Sequence, residues 1–159
     1  LIDDINKKLS RTYSQIAGRK SQAKLNYESQ FPAGNYSSRM LDRLEKSSQT
    51  DFERGFTASG PHREDIAFFL NNQPAGAAAS RGETRSLLLA LKIYELELIE
   101  KARGAKPIFL LDDVFSELDG ARRLALVDYL KDYQTIITTT DADSVLAHFT
   151  EGPHLLAIK

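Results

Sequence analysis

Asp112 and Asp113 stand side by side where an unbroken apolar run, residues 108–111, gives way to a polar loop. Such a run reads as a strand buried on both faces, and ligands of open α/β sheets sit outside the carboxyl ends of the strands. Neighbouring strand residues face opposite ways, so the two carboxylates do different jobs. One division gives Asp112 a metal, directly or through water, and turns Asp113 toward a reacting phosphate. Mg²⁺ needs few carboxylates because it keeps several waters, and a carboxylate near a phosphoryl group can orient an attacking water or accept its proton. The other reading leaves Asp113 as a cap for the following turn. The next stretch, Ser116-Glu117-Leu118-Asp119, weighs toward the phosphate.

Upstream, Ser80-Arg81-Gly82-Glu83 opens a strongly apolar segment. Ser-x-x-Glu reads as a capping box, the serine bonding a first-turn N–H and the glutamate reaching back. The same geometry suits an anion, because a helix N-terminus offers free N–H groups and a positive dipole end. Gly82 lets the backbone come close. Both readings stay open.

The elements that must position these residues follow from periodicity. Leu1, Ile5, Leu9, Tyr13 and Ile16 predict an amphipathic helix over 1–17, closed by Gly18. Residues 22–28 alternate as a half-buried strand. A helix is predicted over about 37–53, opened by Ser37 or Ser38 and closed by Gly55. Residues 56–73 read as strand material, with a turn at Asn71-Asn72. A long helix runs from Glu83 past Ile99 and stops at Gly104 and Pro107. The strand at 108–111, a helix over about 120–132, a strand at 135–139, a short helix at 142–148 and a last strand at 155–158 complete the chain. Alternating strand and helix in the second half argues for an α/β layer with a mainly parallel sheet; the front section reads as a separate sub-layer.

Composition narrows the classes. With 42% hydrophobic and 27% charged residues the 159-residue chain is globular and sized for one domain. It has no cysteine, which excludes disulfides and thiolate metal sites and suits the cytoplasm. No apolar run approaches the roughly 18 residues of a membrane span. Net charge is −1, so any nucleic-acid surface must be local, with Arg19, Lys20 and Lys24, or Arg39 and Arg43, as candidates against a plain solvated face. His62, His148 and His154 lack metal-ligand spacing, and no GxSxG serine motif occurs. The chain opens on Leu1 inside a helical pattern, as an excised piece would.

SRGE at a helix start followed by FLLDDVFSELD resembles the second half of an ABC-type ATPase head, with its signature loop, Walker B strand and D-loop. GPHRED, SRGETRSLLLALKIYELELI, IFLLDDVFSELD and TIITTTD together resemble the RecF family of bacterial recombination mediators, most clearly over residues 60–141. The resemblance implies the C-terminal lobe of a P-loop ATPase head, its sheet mainly parallel and flanked by helices. Residues 1–20 would end a helical arm and 21–159 belong to the head. It implies ATP and Mg²⁺ as cofactors: Ser80, Arg81, Gly82 and Glu83 would face the γ-phosphate held by a partner protomer, Asp112 would hold Mg²⁺, Asp113 would be the catalytic base, and Ser116 to Asp119 would couple the two sites. Thr139 and Thr140 lie where most such heads carry a switch histidine. Many such ATPases use Glu as base; the shorter Asp113 fits a slow, switch-like enzyme.

The P-loop pattern GxxxxGK[ST] does not occur. Gly18-Arg19-Lys20-Ser21 imitates it, but Arg19 separates glycine from lysine, and the stretch follows a helix rather than a strand. The expectation is therefore the C-terminal half of an ATP-controlled DNA clamp of recombinational repair at single-strand gaps, inactive as an ATPase by itself. Its implied partners are double-stranded DNA, a RecR-type mediator and a second copy of the protein, within the SOS response and without a membrane. The rival expectations are an SMC- or Rad50-like ATPase head and a non-catalytic scaffold that keeps the ABC fold only to dimerise.

Overall fold

Four apolar residues at helical spacing turn one face of α1 (Ile2–Ala17) into a buried seam of Ile5, Leu9, Tyr13 and Ile16. The helix stops at Gly18, whose φ of 65° favours a residue without Cβ. A computed structural model describes residues 1–149 together with His154 and Leu156.

α1 lies along the outer edge of β1 (Ala23–Glu28) and satisfies it with side chains. The Asn6 amide donates to the Leu25 carbonyl at 2.9 Å and accepts from its N–H at 2.7 Å; the Ser10 hydroxyl treats Ala23 likewise, at 2.8 and 2.9 Å. An edge strand that would otherwise offer free backbone groups is thereby closed. Its inner edge pairs antiparallel with β2 (Asp65–Leu70), from Ala23 opposite Leu70 to Glu28 opposite Asp65. Asn71 and Asn72, both at positive φ, turn the chain into the short β3 (Gln73–Pro74), as a tight hairpin requires.

Between β1 and β2 stands α2 (Tyr36–Arg54), which is mostly exposed and buries only Met40 and Asp51. Its first residue is Tyr36, and neither Ser37 nor Ser38 caps it: Asn35 occupies the N-cap without a side-chain bond. Glu64 ties its root to the sheet by accepting from Ser29 Oγ at 2.6 Å, Tyr36 Oη at 2.8 Å and Tyr27 Oη. Desolvation pushes the Glu64 carboxyl up, but the three hydroxyls outweigh it and hold it below its ordinary range. Residues 56–64, expected as strand, are loop with a 3₁₀ turn at Pro61–Arg63. Pro61 has no N–H for a ladder, and Gly60 at φ 144° lies so close to the His62 ring that a Cβ would stand 2.8 Å from it.

The rest alternates. A single turn, α3 (Ala75–Ala78), leads into α4 (Arg81–Arg103), β4 (Phe109–Asp112), α5 (Gly120–Leu130), β5 (Thr135–Thr138) and α6 (Ala142–Leu146). β4 and β5 pair in parallel, Phe109 opposite Thr135 through Asp112 opposite Thr138. The last strand expected at 155–158 falls largely outside the described residues. Leu9, Tyr13 and Ile16 of α1, Leu87, Ala90, Ile93 and Leu96 of α4, Phe109 and Leu111 of β4, and Leu126, Val127 and Leu130 of α5 share one core.

Burial on both faces, expected for residues 108–111, is corrected. Phe109 and Leu111 are buried, but Ile108, Leu110 and Ile136 are exposed, Leu110 by 69%, and so is Leu88 of α4. The described residues supply a layer for one face only. Among them no helix is long and apolar enough to cross a membrane. Leu126→Ala, which empties a fully buried site, is expected to cost about 2–5 kcal/mol, whereas Leu110→Ala in this chain should stay within about 0.5 kcal/mol; urea titration of the two variants checks both.

Candidate functional site

Parallel register decides what surrounds the paired aspartates. Asp112 closes β4 opposite Thr138, and the Thr138 hydroxyl donates to Asp112 Oδ1. Asp113 then leaves the strand at φ 48°, ψ 23°, in the left-handed region that few side-chain-bearing residues other than Asn and Asp enter readily. Its N–H is shared between the Thr138 carbonyl at 3.1 Å and Thr138 Oγ1 at 3.2 Å, and its carbonyl accepts from Ser116 Oγ at 2.8 Å. The two carboxylates are thus separated by the chain leaving the strand, not by pleat alternation as the sequence suggested. The 3₁₀ turn at Val114–Glu117 receives no cap bond from Asp113. The Asp113 carboxylate is exposed and has no partner among the described residues, so the capping reading is not realised.

No group of three or more His, Cys, Asp or Glu capable of caging a metal occurs among the described residues. Asp112 instead offers one strand-end carboxylate with an oxygen to spare. That donor set fits a Mg²⁺ that takes most of its shell from water and phosphate oxygens.

At the start of α4 the capping box is formed. Ser80 Oγ accepts from the Glu83 N–H at 3.3 Å, and Glu83 Oε2 accepts from the Ser80 N–H at 2.8 Å. The other carboxylate oxygen of Glu83 pairs with Arg19, the residue after the C-cap of α1. The bonds from Ser80 and then the Arg19 guanidinium hold the Glu83 carboxyl below its ordinary range. Ser80 keeps its hydroxyl proton for another acceptor, and Arg81 is exposed at the first helical position.

The loop between β4 and α5 is fastened to α4. Arg85 Nε lies 3.1 Å from Glu117 Oε2 and its NH1 donates to the Glu117 carbonyl at 2.9 Å. Asp119 caps α5 through the Arg122 N–H at 2.9 Å and pairs with the Arg122 guanidinium. Arg122 also donates from Nε to Ser86 Oγ at 2.8 Å, and a Cβ on Gly82 would stand 3.3 Å from its NH2. The space beside the Gly82 Cα is therefore filled from within the chain. Past β5, Thr139 Oγ1 accepts from the Asp141 N–H at 3.1 Å, and Thr140 is exposed in the same bend. No hydrogen bond or ion pair joins residues 80–83 directly to Asp112 or Asp113 among the described residues; the loop bearing Ser116 and Asp119 runs between the two groups. His62 Nε2 lies 3.2 Å from the Thr57 carbonyl and serves its own loop.

The DNA replication and repair protein RecF of Lactobacillus delbrueckii subsp. bulgaricus is 35% identical over 98% of this chain and 43% of its own length. RecF of Streptococcus pyogenes serotype M5 is 38% identical over 99% of the chain and 44% of its length. The chain belongs to the RecF family. It spans less than half the length of these curated relatives and fits the C-terminal half of a RecF protein. A solved structure of the recombination mediator RecF with ATP, of the RecFOR pathway, superposes with a TM-score of 0.64 at 30% identity over 89% of this chain and 39% of the other. An Smc head bound to the C-winged helix domain of ScpA gives 0.55 at 19% identity over 92% and 37%, a likeness of fold alone. No family model matches the chain. The fold is that of the C-terminal lobe of an ABC-type ATPase head.

Within this RecF lobe, reading the sequence missed Thr138, Ser86, Arg85, Arg122 and the reach of Arg19. Only Thr138 left a signal, because aligning the two strand ends in parallel puts a threonine opposite Asp112. Glu83→Gln is expected to cost about 1 kcal/mol or less at neutral pH. A carboxylate with a lowered folded pKa stabilises above its unfolded value and loses that contribution as pH falls through the folded one. The wild-type advantage should therefore be full well above about 4.5 and fade as pH falls below that value and on through the lowered folded one; thermal melts of both proteins across that range check the sign.

Proposed function

We propose that the complete protein, whose C-terminal half this chain represents, is an ATP-controlled DNA clamp of recombinational repair that closes as a homodimer when ATP is bound. The observation that carries the reading is the state of Asp113: a carboxylate held by backbone bonds at a strand end, exposed, unspent on capping and adjacent to Asp112. A carboxylate in that state can orient a water or take its proton.

The roles divide accordingly. Asp112, steadied by Thr138, would hold Mg²⁺, which when bound neutralises developing phosphate charge. Ser80 with its spare hydroxyl proton, Arg81, Gly82 and Glu83 would present the start of α4 to the γ-phosphate held by the partner protomer. The loop carrying Ser116 and Asp119 would pass the state of one site to the other, and Thr140 would sit beside the phosphate from the end of β5. The exposed Ile108, Leu110, Ile136 and Leu88 suit cover by the P-loop half of the same protein, which this chain lacks; alone it should not hydrolyse ATP. Residues 1–20 would close a helical arm seated on the head. Double-stranded DNA at gap junctions would be the substrate, with Lys20, Lys24, Arg39 and Arg43 as exposed cations on this half, a RecR-type mediator the protein partner, and the cytoplasm the compartment.

Sedimentation of the complete protein with and without ATP tests the clamp. Wild type is expected to dimerise with ATP and Ser80→Arg to stay monomeric while still binding ATP; equal dimerisation would reduce Ser80 to a helix cap. Asp113→Asn should dimerise with ATP yet hydrolyse it about 100-fold or more slowly, as measured by phosphate release.

A further inference from the structure

Arg122 is unusual among the surface cations of this chain because its guanidinium serves three groups on two elements. Its Nε donates to Ser86 Oγ at 2.8 Å, an end nitrogen pairs with the Asp119 carboxylate, and its flat face lies 3.3–3.5 Å from where a Cβ on Gly82 would be. Ser86 is completely buried, and its hydroxyl passes the bond on to the Gly82 carbonyl at 2.9 Å. A continuous chain thus runs from the Asp119 carboxylate through Arg122 and Ser86 to the backbone of the turn at residues 80–83.

An exposed i,i+3 ion pair such as Arg122 with Asp119 would by itself contribute about 0–1 kcal/mol and signify little. The difference lies in the other two contacts. A buried hydroxyl needs a donor from a fixed direction, and a glycine with a planar cation against its Cα fixes how close the two elements stand. Lysine does not reproduce this, because its compact ammonium on a flexible stem lacks the planar fork whose Nε and end nitrogen serve Ser86 and Asp119 separately. Arg85, bonded to Glu117, supplies a second tie between the same elements.

We propose that Arg122 is a positioning residue: it locks the turn at residues 80–83 to the loop ending at Asp119, so that both are presented to a partner protomer as one rigid surface. The proposal rests on the clamp reading, in which both segments meet nucleotide held by the other protomer. Arg122 itself touches no substrate. Its effect is to make the two contacts of a closing dimer form together.

The test uses the complete protein carrying Arg122→Gln or Arg122→Lys, with three readouts: affinity for ATP, melting temperature, and the protein concentration at which ATP drives dimerisation. Both variants are expected to bind ATP as wild type does and to melt close to wild type, while dimerisation shifts to a concentration at least about tenfold higher, equivalent to about 1.4 kcal/mol. Arg122→Lys keeps the charge and the aliphatic stem, which guards against a variant that simply fails to fold. Variants that dimerise at the wild-type concentration overturn the proposal, as does a lowered melting temperature with normal dimerisation, which would leave Arg122 a stabilising contact only. A wild type that stays monomeric with ATP overturns the clamp reading, and the positioning role with it.

Discussion

Where α4 lies decides where the candidate phosphate contacts at residues 80–83 lie, and what holds α4 is its buried face against α1. Leu87, Ala90, Ile93 and Leu96 meet Leu9, Tyr13 and Ile16 in the common core, and each large apolar side chain so buried contributes about 1.5–3 kcal/mol. The polar ties at the N-terminal end of α4 are individually worth about 1 kcal/mol or less. Apolar packing therefore places the helix, and polar bonds only trim its orientation. The same packing brings the end of α1 beside the start of α4, which is why Arg19, just past Gly18, can reach Glu83.

The strand pair is set by a different constraint. Parallel pairing of β4 with β5 fixes Thr138 opposite Asp112, and a slip of one residue would turn every strand side chain to the other face. The register thereby delivers a hydroxyl to one aspartate and a carbonyl to the N–H of the next. Asp113 takes up its left-handed conformation where the ladder ends, and the bonds to Thr138 and Ser116 stabilise what would otherwise be a strained backbone.

Local patterns were legible in the sequence. The seam of α1, the glycine after it, the capping box at Ser80 and the two asparagines of the hairpin are each decided by residues within a few positions, and each stands as read except at Leu1, which lies before the helix and is exposed. The stretch 56–64 misled because its composition suits a strand while Gly60 and Pro61 forbid one. The open face of residues 108–111 could not be seen, since an apolar run says that a strand is made to be covered and not whether a given chain supplies the cover. Contacts between distant segments were invisible: Arg122 meets Ser86 across 36 positions, and nothing near either residue announces the other. The aspartates could be singled out because the chemistry proposed for them is carried by type and place, whereas the residues that support them are defined only by the packing.

The crowding beside Gly82 has an evolutionary consequence. A methyl group there would stand 3.3 Å from the Arg122 guanidinium, which must shift by a few tenths of an ångström to admit it, so a change at one position bears on the other. Among relatives of this chain, side chains larger than hydrogen at position 82 should accompany shorter or uncharged residues at position 122, with Ser86 released to vary when the guanidinium goes. The three positions should then vary as one unit, though position 122 is separated from the other two by an entire strand and most of a long helix.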